Sequence, residues 1–137
     1  MTILRIIVAV LLGLIIGSAV NMGLILIGGN LIPPPDGVDV TNADSIASAA
    51  HLFEAKHFLF PFLAHAGGTL VGAICASLVA GSHRHAVAYA IGTLFFAGGI
   101  AAALMIPAPP WCLVTDLLLG YFPMAFIATK IADYFQS

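Results

Sequence analysis

The sequence predicts an all-α, polytopic membrane protein: a bundle of four transmembrane helices with one extracytoplasmic loop carrying a short amphipathic helix. Three observations predict it. The chain of 137 residues is 61% hydrophobic and only 7% charged, with a mean hydropathy of +1.12. Soluble domains carry about 25% charged residues, so too little polar side chain is present to cover a water-exposed globule. The apolar residues fall into four continuous runs rather than alternating with period two, which argues for helices over barrel strands. Most of the few charges lie between or beyond those runs. This composition excludes a soluble enzyme and a disordered chain, and the net charge of -2 excludes a nucleic-acid binder, which needs a basic surface.

The spans are expected at about 3–27, 58–80, 86–106 and 111–128, all in one membrane domain covering 1–137. The first opens like a secretory signal, with Arg5 ahead of an apolar run and Gly17-Ser18-Ala19 as a small-residue site. Signal cores run about 7–15 residues. Here the run continues through Met22, Leu24, Leu26 and Ile27, so a retained helix is expected. Gly81-Ser82-His83-Arg84-His85 joins the second and third spans, and Pro107-Ala108-Pro109-Pro110 joins the third and fourth. Connections this short make the joined helices antiparallel neighbours. Pro123 is expected to kink the fourth span, and Pro61 to mark or bend the start of the second. Small residues recur at helix-packing spacing in Gly13/Gly17, Gly68/Gly72 and Ala88/Gly92, a pattern that lets backbones approach in lipid. It serves packing within the bundle or a homo-oligomer equally well.

Arg5, Arg84 and Lys130 fall on one side of four spans and Lys56 alone on the other. Basic loop residues favour the cytoplasmic side, so both termini are expected there, with residues 28–57 outside. In that loop Leu31-Ile32-Pro33-Pro34-Pro35-Asp36-Gly37 reads as a stiff exit followed by a turn. Thr41, Asn42 and Asp44 offer caps to a helix over about 45–56 whose apolar stripe is Ile46, Ala49, Ala50 and Phe53. Asp36, Asp39 and Asp44 lack the spacing of a calcium loop.

Depth arithmetic isolates a candidate site. At 1.5 Å per residue, Asn21, His65 and Asp116 lie ~9, ~10 and ~8 Å below the outer ends of their spans. Ionisable groups in a span are costly, and they face an interior or a wet cavity and find a partner. Asp116 has no Lys or Arg at its depth, which leaves His65. Just above come Glu54 and His57, one helical turn apart. Four of these side chains, Glu54, His57, His65 and Asp116, are ligand types suited to one divalent transition metal such as zinc. A single Glu in the chain argues against a di-iron bundle. Cys75 and Cys112 lie too far apart along the membrane normal for a disulfide.

Three functional expectations follow. The first is an ion- or metal-binding membrane protein, a small transporter or channel, with His65, Asp116 and Asn21 as the ligand or proton site. The second is an intramembrane enzyme with a metal-activated water, and the third a non-catalytic subunit of a larger membrane complex. A bland alternative stands beside them, in which Asn21, His65 and Asp116 form a hydrogen-bonded cluster that sets helix register.

Overall fold

The computed structural model describes residues 2–136. The described chain is helical, without a β-strand. Helix α1 is Thr2–Leu31, α2 Ala43–Ser48, α3 Leu59–Ala80, α4 Arg84–Met105, α5 Pro110–Leu119 and α6 Phe122–Phe135. Three helical stretches are long and apolar enough to cross a membrane: Thr2–Leu31, Ala55–Met105 and Pro110–Phe135.

Each boundary has a local cause. Helix α1 runs unbroken until Pro33 approaches, since the residue before a proline is pushed out of helical geometry. Pro61 sits in the first turn of α3, where a missing N–H costs nothing. Gly81 ends α3 with φ +65°, a conformation glycine adopts without steric penalty. The chain then folds back, and the Ser77 hydroxyl donates to the Arg84 carbonyl across the turn at 3.0 Å. Gly120 and Tyr121 separate α5 from α6, with Pro123 in the first turn of α6. The expected kink at Pro123 is therefore a break just before it.

The expected loop helix over 45–56 is shorter and interrupted. Helix α2 stops at Ser48, and two 3₁₀ turns, Ala50–Leu52 and Ala55–Phe58, follow. Asn42 caps α2 as its residue type foretold, accepting from the N–H groups of Asp44 and Ser45 at 2.9 and 3.2 Å. The helix cannot continue because Phe53 and Glu54 are extended. There the Glu54 N–H donates instead to His57 Nδ1 at 2.9 Å, starting a new turn. Asp39 accepts from the Thr41 hydroxyl and N–H, and those two bonds, hydroxyl first, hold its carboxyl below the ordinary value of 3.8.

Helix α3 is the centre of the bundle and packs on α1, α4 and α6. Its buried residues are Ala64, Ala66, Gly68, Thr69, Gly72, Ala73, Ala76, Ser77 and Ala80, none larger than threonine. A methyl group added at Gly13 would lie 2.7 Å from the Gly72 carbonyl oxygen, and one at Gly17 would lie 2.6 Å from that of Gly68. Positions therefore fall along α3 as they climb along α1, so the two helices are antiparallel and in backbone contact. Gly13 also meets Ile91, and Gly17 meets Phe95, which places α4 antiparallel to α3 against the same ridge. Helix α6 joins through Ala125, over Gly92, and through Ala128 in the common core. Large apolar side chains such as Ile3, Leu11, Ile15 and Leu26 point outward, as expected for a lipid-facing surface.

Two chemically identical substitutions test the glycine ridge. Gly17→Ala drives a methyl into the Gly68 carbonyl and the Phe95 ring, and overpacking of this kind costs about 1–3 kcal/mol. Gly23→Ala meets nothing within 4 Å and is expected to shift stability by less than about 0.5 kcal/mol. Thermal unfolding of the purified chain in detergent separates the two; equal midpoints would show that the α1–α3 contact is not tight.

Candidate functional site

His65 lies in the second turn of α3 and Asp116 in the second turn of α5, so the pair ties two helices across a sequence separation of 51. His65 Nδ1 donates to both carboxylate oxygens, at 2.9 Å to Oδ1 and 2.8 Å to Oδ2. Their side chains are 26% and 14% exposed. The pair is largely covered but not sealed. Tyr121 completes the arrangement, donating its phenol O–H to Asp116 Oδ2 at 3.0 Å. The break between α5 and α6 turns Tyr121 back toward the carboxylate five residues earlier. Its side chain is fully buried and lies against the rings of His65 and Phe96. The phenol passes directly over Gly99 on α4, where a methyl group would collide with it.

Two donors on one carboxylate satisfy much of what water would otherwise supply, which explains how Asp116 is held without a Lys or Arg. A carboxylate can only accept, so the imidazole proton sits on Nδ1. In the neutral imidazole Nε2 then keeps its lone pair, the arrangement by which a carboxylate orients a functional histidine. No hydrogen bond engages Nε2 among the described residues.

His65 and Asp116 lie at the base of a cavity of about 590 Å³. Its walls are the end of α1 (Ile25, Gly28), the loop (Val40, Ile46, Phe53), the turn into α3 and its start (Phe58, Phe62), and the end of α4 with the residue after it (Ala103, Ile106). The walls are mostly apolar, and Lys56 and His57 stand with the loop residues. Trp111 packs edge-on against Phe58 with ring centres 6.0 Å apart. Thr69 lies one turn inward of His65 on α3. Its Oγ1 is buried and is the one such side-chain atom left unpartnered among the described residues.

The expected site residues divide. His65 and Asp116 meet. Asn21 shares their level but turns to α3, its Cβ about 3.0 Å from where a side chain at Gly68 would begin; it does not line the cavity. His57 reaches the cavity wall, whereas Glu54 is exposed and pairs with Lys56 at 3.0 Å. That hydrogen bond, and next the charge of Lys56, hold the Glu54 carboxyl below its ordinary range. The metal set of Glu54, His57, His65 and Asp116 is not brought together, and no group of three His, Cys, Asp or Glu converges among the described residues. The physical reason is that Glu54 is extended at the N-cap of the Ala55–Phe58 turn, outside the helical run that carries His57 and His65, and its carboxylate turns to Lys56. Tyr121, Gly99 and Thr69 were not expected. A tyrosine five residues from an intramembrane aspartate carries no signal until the helix break is known.

No protein-family model matches the chain, and comparison with characterised proteins and with solved structures returns no match.

The His65–Asp116 contact is testable by a double-mutant cycle. Asp116→Asn and His65→Gln are each expected to cost about 2 kcal/mol, the scale of hydrogen bonds to a charged group. The double variant should cost less than their sum by about 1 kcal/mol or more, measured by denaturation in detergent. Strict additivity would mean that the two side chains are not coupled.

Proposed function

We propose that this chain crosses a membrane four times and uses the cavity at the loop end to bind an amphiphilic small molecule through that molecule's hydroxyl or similar O–H head. The observation that carries the reading is the unengaged Nε2 of His65, presented by Asp116 at the base of a mostly apolar cavity. A neutral imidazole held this way accepts a hydrogen bond from an O–H donor. The apolar walls take the tail, and about 590 Å³ falls within the ~300–1,000 Å³ usual for small-molecule sites.

Four crossings are supported by lengths and by the turn at Gly81. Helices α3 and α4 have 22 residues each, or ~33 Å at 1.5 Å per residue, close to a ~30 Å hydrocarbon core. The 51-residue stretch is thus two crossings, folded back on itself. Arg5, Arg84 and Lys130 gather at one end and Lys56 lies at the other, so the basic-loop bias puts both termini in the cytoplasm and the cavity outside. The expectation of ion transport finds less support. Toward the other end the bundle is filled by Ala9, Ala73, Ala76, Ala80, Ala88, Ile91 and Ala128, and the buried hydroxyls of Ser77 and Thr129 among the described residues are spent on backbone carbonyls, a poor path for an ion through one copy of the chain. A resident zinc finds less support too, because two close ligand-type residues do not make a site.

Photo-crosslinking in phosphatidylcholine vesicles tests the ligand class, using a long-chain alcohol that bears a diazirine. Labelling is expected on cavity residues such as Phe62 and Leu113, falling roughly tenfold, or about 1.4 kcal/mol, for the methyl ether of the same alcohol and for His65→Ala. Equal labelling by alcohol and ether in wild-type protein would overturn the reading. The crossing number has its own test in a Cys75→Ala/Cys112→Ala background. Ser48→Cys and Ser82→Cys are expected to react with an impermeant maleimide from opposite faces of sealed vesicles. Reaction from the same face would remove a crossing.

A further inference from the structure

At the opposite end of the bundle, a second cavity of about 250 Å³ is lined by Thr2, Arg5, Ala80, Ser82 and His83. We infer that it is a phosphate-binding pocket for the headgroup of an anionic phospholipid, independent of the cavity around His65.

The argument begins with the charges at this end. Arg84 and His85 share Asp133, at 2.6 and 2.8 Å, and Lys130 lies over the ring of Phe126 at 5.2 Å. Arg5 has no carboxylate within ion-pair reach among the described residues. Its Nε donates to the Val79 carbonyl in the last turn of α3. That bond caps the helix and fixes the guanidinium against the turn, leaving the two Nη groups with no protein acceptor among the described residues. Gly81 makes this close seating possible: any side chain there would begin 3.0 Å from the guanidinium carbon. A fixed planar fork with free N–H groups is the geometry that recognises phosphate oxygens. Ser82 and His83, joined by a 3.1 Å hydrogen bond, and the Thr2 hydroxyl supply further donors on the walls.

The surroundings favour a lipid over a free ion as the source of that phosphate. Ile3, Leu4 and Ile7 flank Arg5 on α1 and are 75%, 67% and 50% exposed, an apolar strip along which an acyl chain can lie. A basic pocket between helices at the membrane surface, opening onto lipid-facing side chains, is suited to an anionic headgroup.

The test uses the full chain purified from vesicles containing equal phosphatidylglycerol and phosphatidylcholine, with co-purifying lipid measured by mass spectrometry. Wild-type protein is expected to retain phosphatidylglycerol preferentially, and Arg5→Gln to lose that preference roughly tenfold. Because Arg5 also caps α3, Arg5→Gln can fail to fold. The Ser82→Ala/His83→Gln variant keeps the bond to Val79 and is expected to lose the preference roughly threefold. Thermal unfolding with added inorganic phosphate separates the sources. Protection by phosphatidylglycerol alone supports the lipid headgroup, whereas equal protection by inorganic phosphate overturns the lipid assignment in favour of a free anion. Equal retention of both lipids by wild type, or undiminished preference in the folded variants, overturns the pocket altogether.

Discussion

The bundle depends on the narrowness of α3. In lipid no hydrophobic force drives one helix onto another, so association rests on van der Waals contact and on the few hydrogen bonds made between helices. Helix α3 meets this constraint by burying only Ala, Gly, Ser and Thr. Three helices can then pack around it, and at Gly13–Gly72 and Gly17–Gly68 the backbones of α1 and α3 touch without side chains between them. Most of the larger apolar residues are left to face outward, where hydrocarbon receives them as well as a protein interior would. This inverts the layout of a soluble core.

That same packing sets the terms for polar groups. Asp116 is tolerable because His65 and Tyr121 bring donors to it from either side, and the second of these requires a helix break. Had α5 and α6 been one continuous helix, residues five apart would project about 140° from each other, and Tyr121 would point away from Asp116. Gly99 is the matching concession on α4, a missing side chain where the phenol must pass. The polar triad is therefore a product of three helices and one interruption rather than a local motif. Its purpose in the fold and its usefulness as a site are compatible, because satisfying the carboxylate occupies only one nitrogen of the imidazole.

The two ends of the molecule differ in kind. At the loop end, the cavity is apolar with a polar base, and Phe53, Phe58 and Phe62 stand in its walls. At the other end, the charges of Arg84, His85, Asp133 and Arg5 crowd the α3–α4 turn and the ends of α1 and α6. One end is built to admit an apolar body and the other to meet a charged surface. Between them the interior is close-packed, and Thr69 alone among the described residues leaves a buried hydroxyl unpartnered there.

Much of this was legible without coordinates, and the limit has a simple geometry. Residues climb 1.5 Å each along a helix, so hydropathy locates the apolar runs, short connections make them antiparallel, and counting gives the depth of each polar side chain. That is enough to place Asn21, His65 and Asp116 at one level and to pair the aspartate with the only histidine available. Rotation about each helix axis is not carried by depth, and it decides which residues meet: Asn21 faces Gly68, while His65 faces Asp116. Local breaks were equally hidden. The extended backbone at Glu54 set it apart from the helical run that carries His57 and His65, and the break at Gly120 and Tyr121 supplied a partner that no spacing rule predicted. Hydropathy and counting along the chain are enough for an all-helical, membrane-suited fold and the level of its polar residues. Their azimuth, and so which of them form a site, is settled by how the helices pack and where they break.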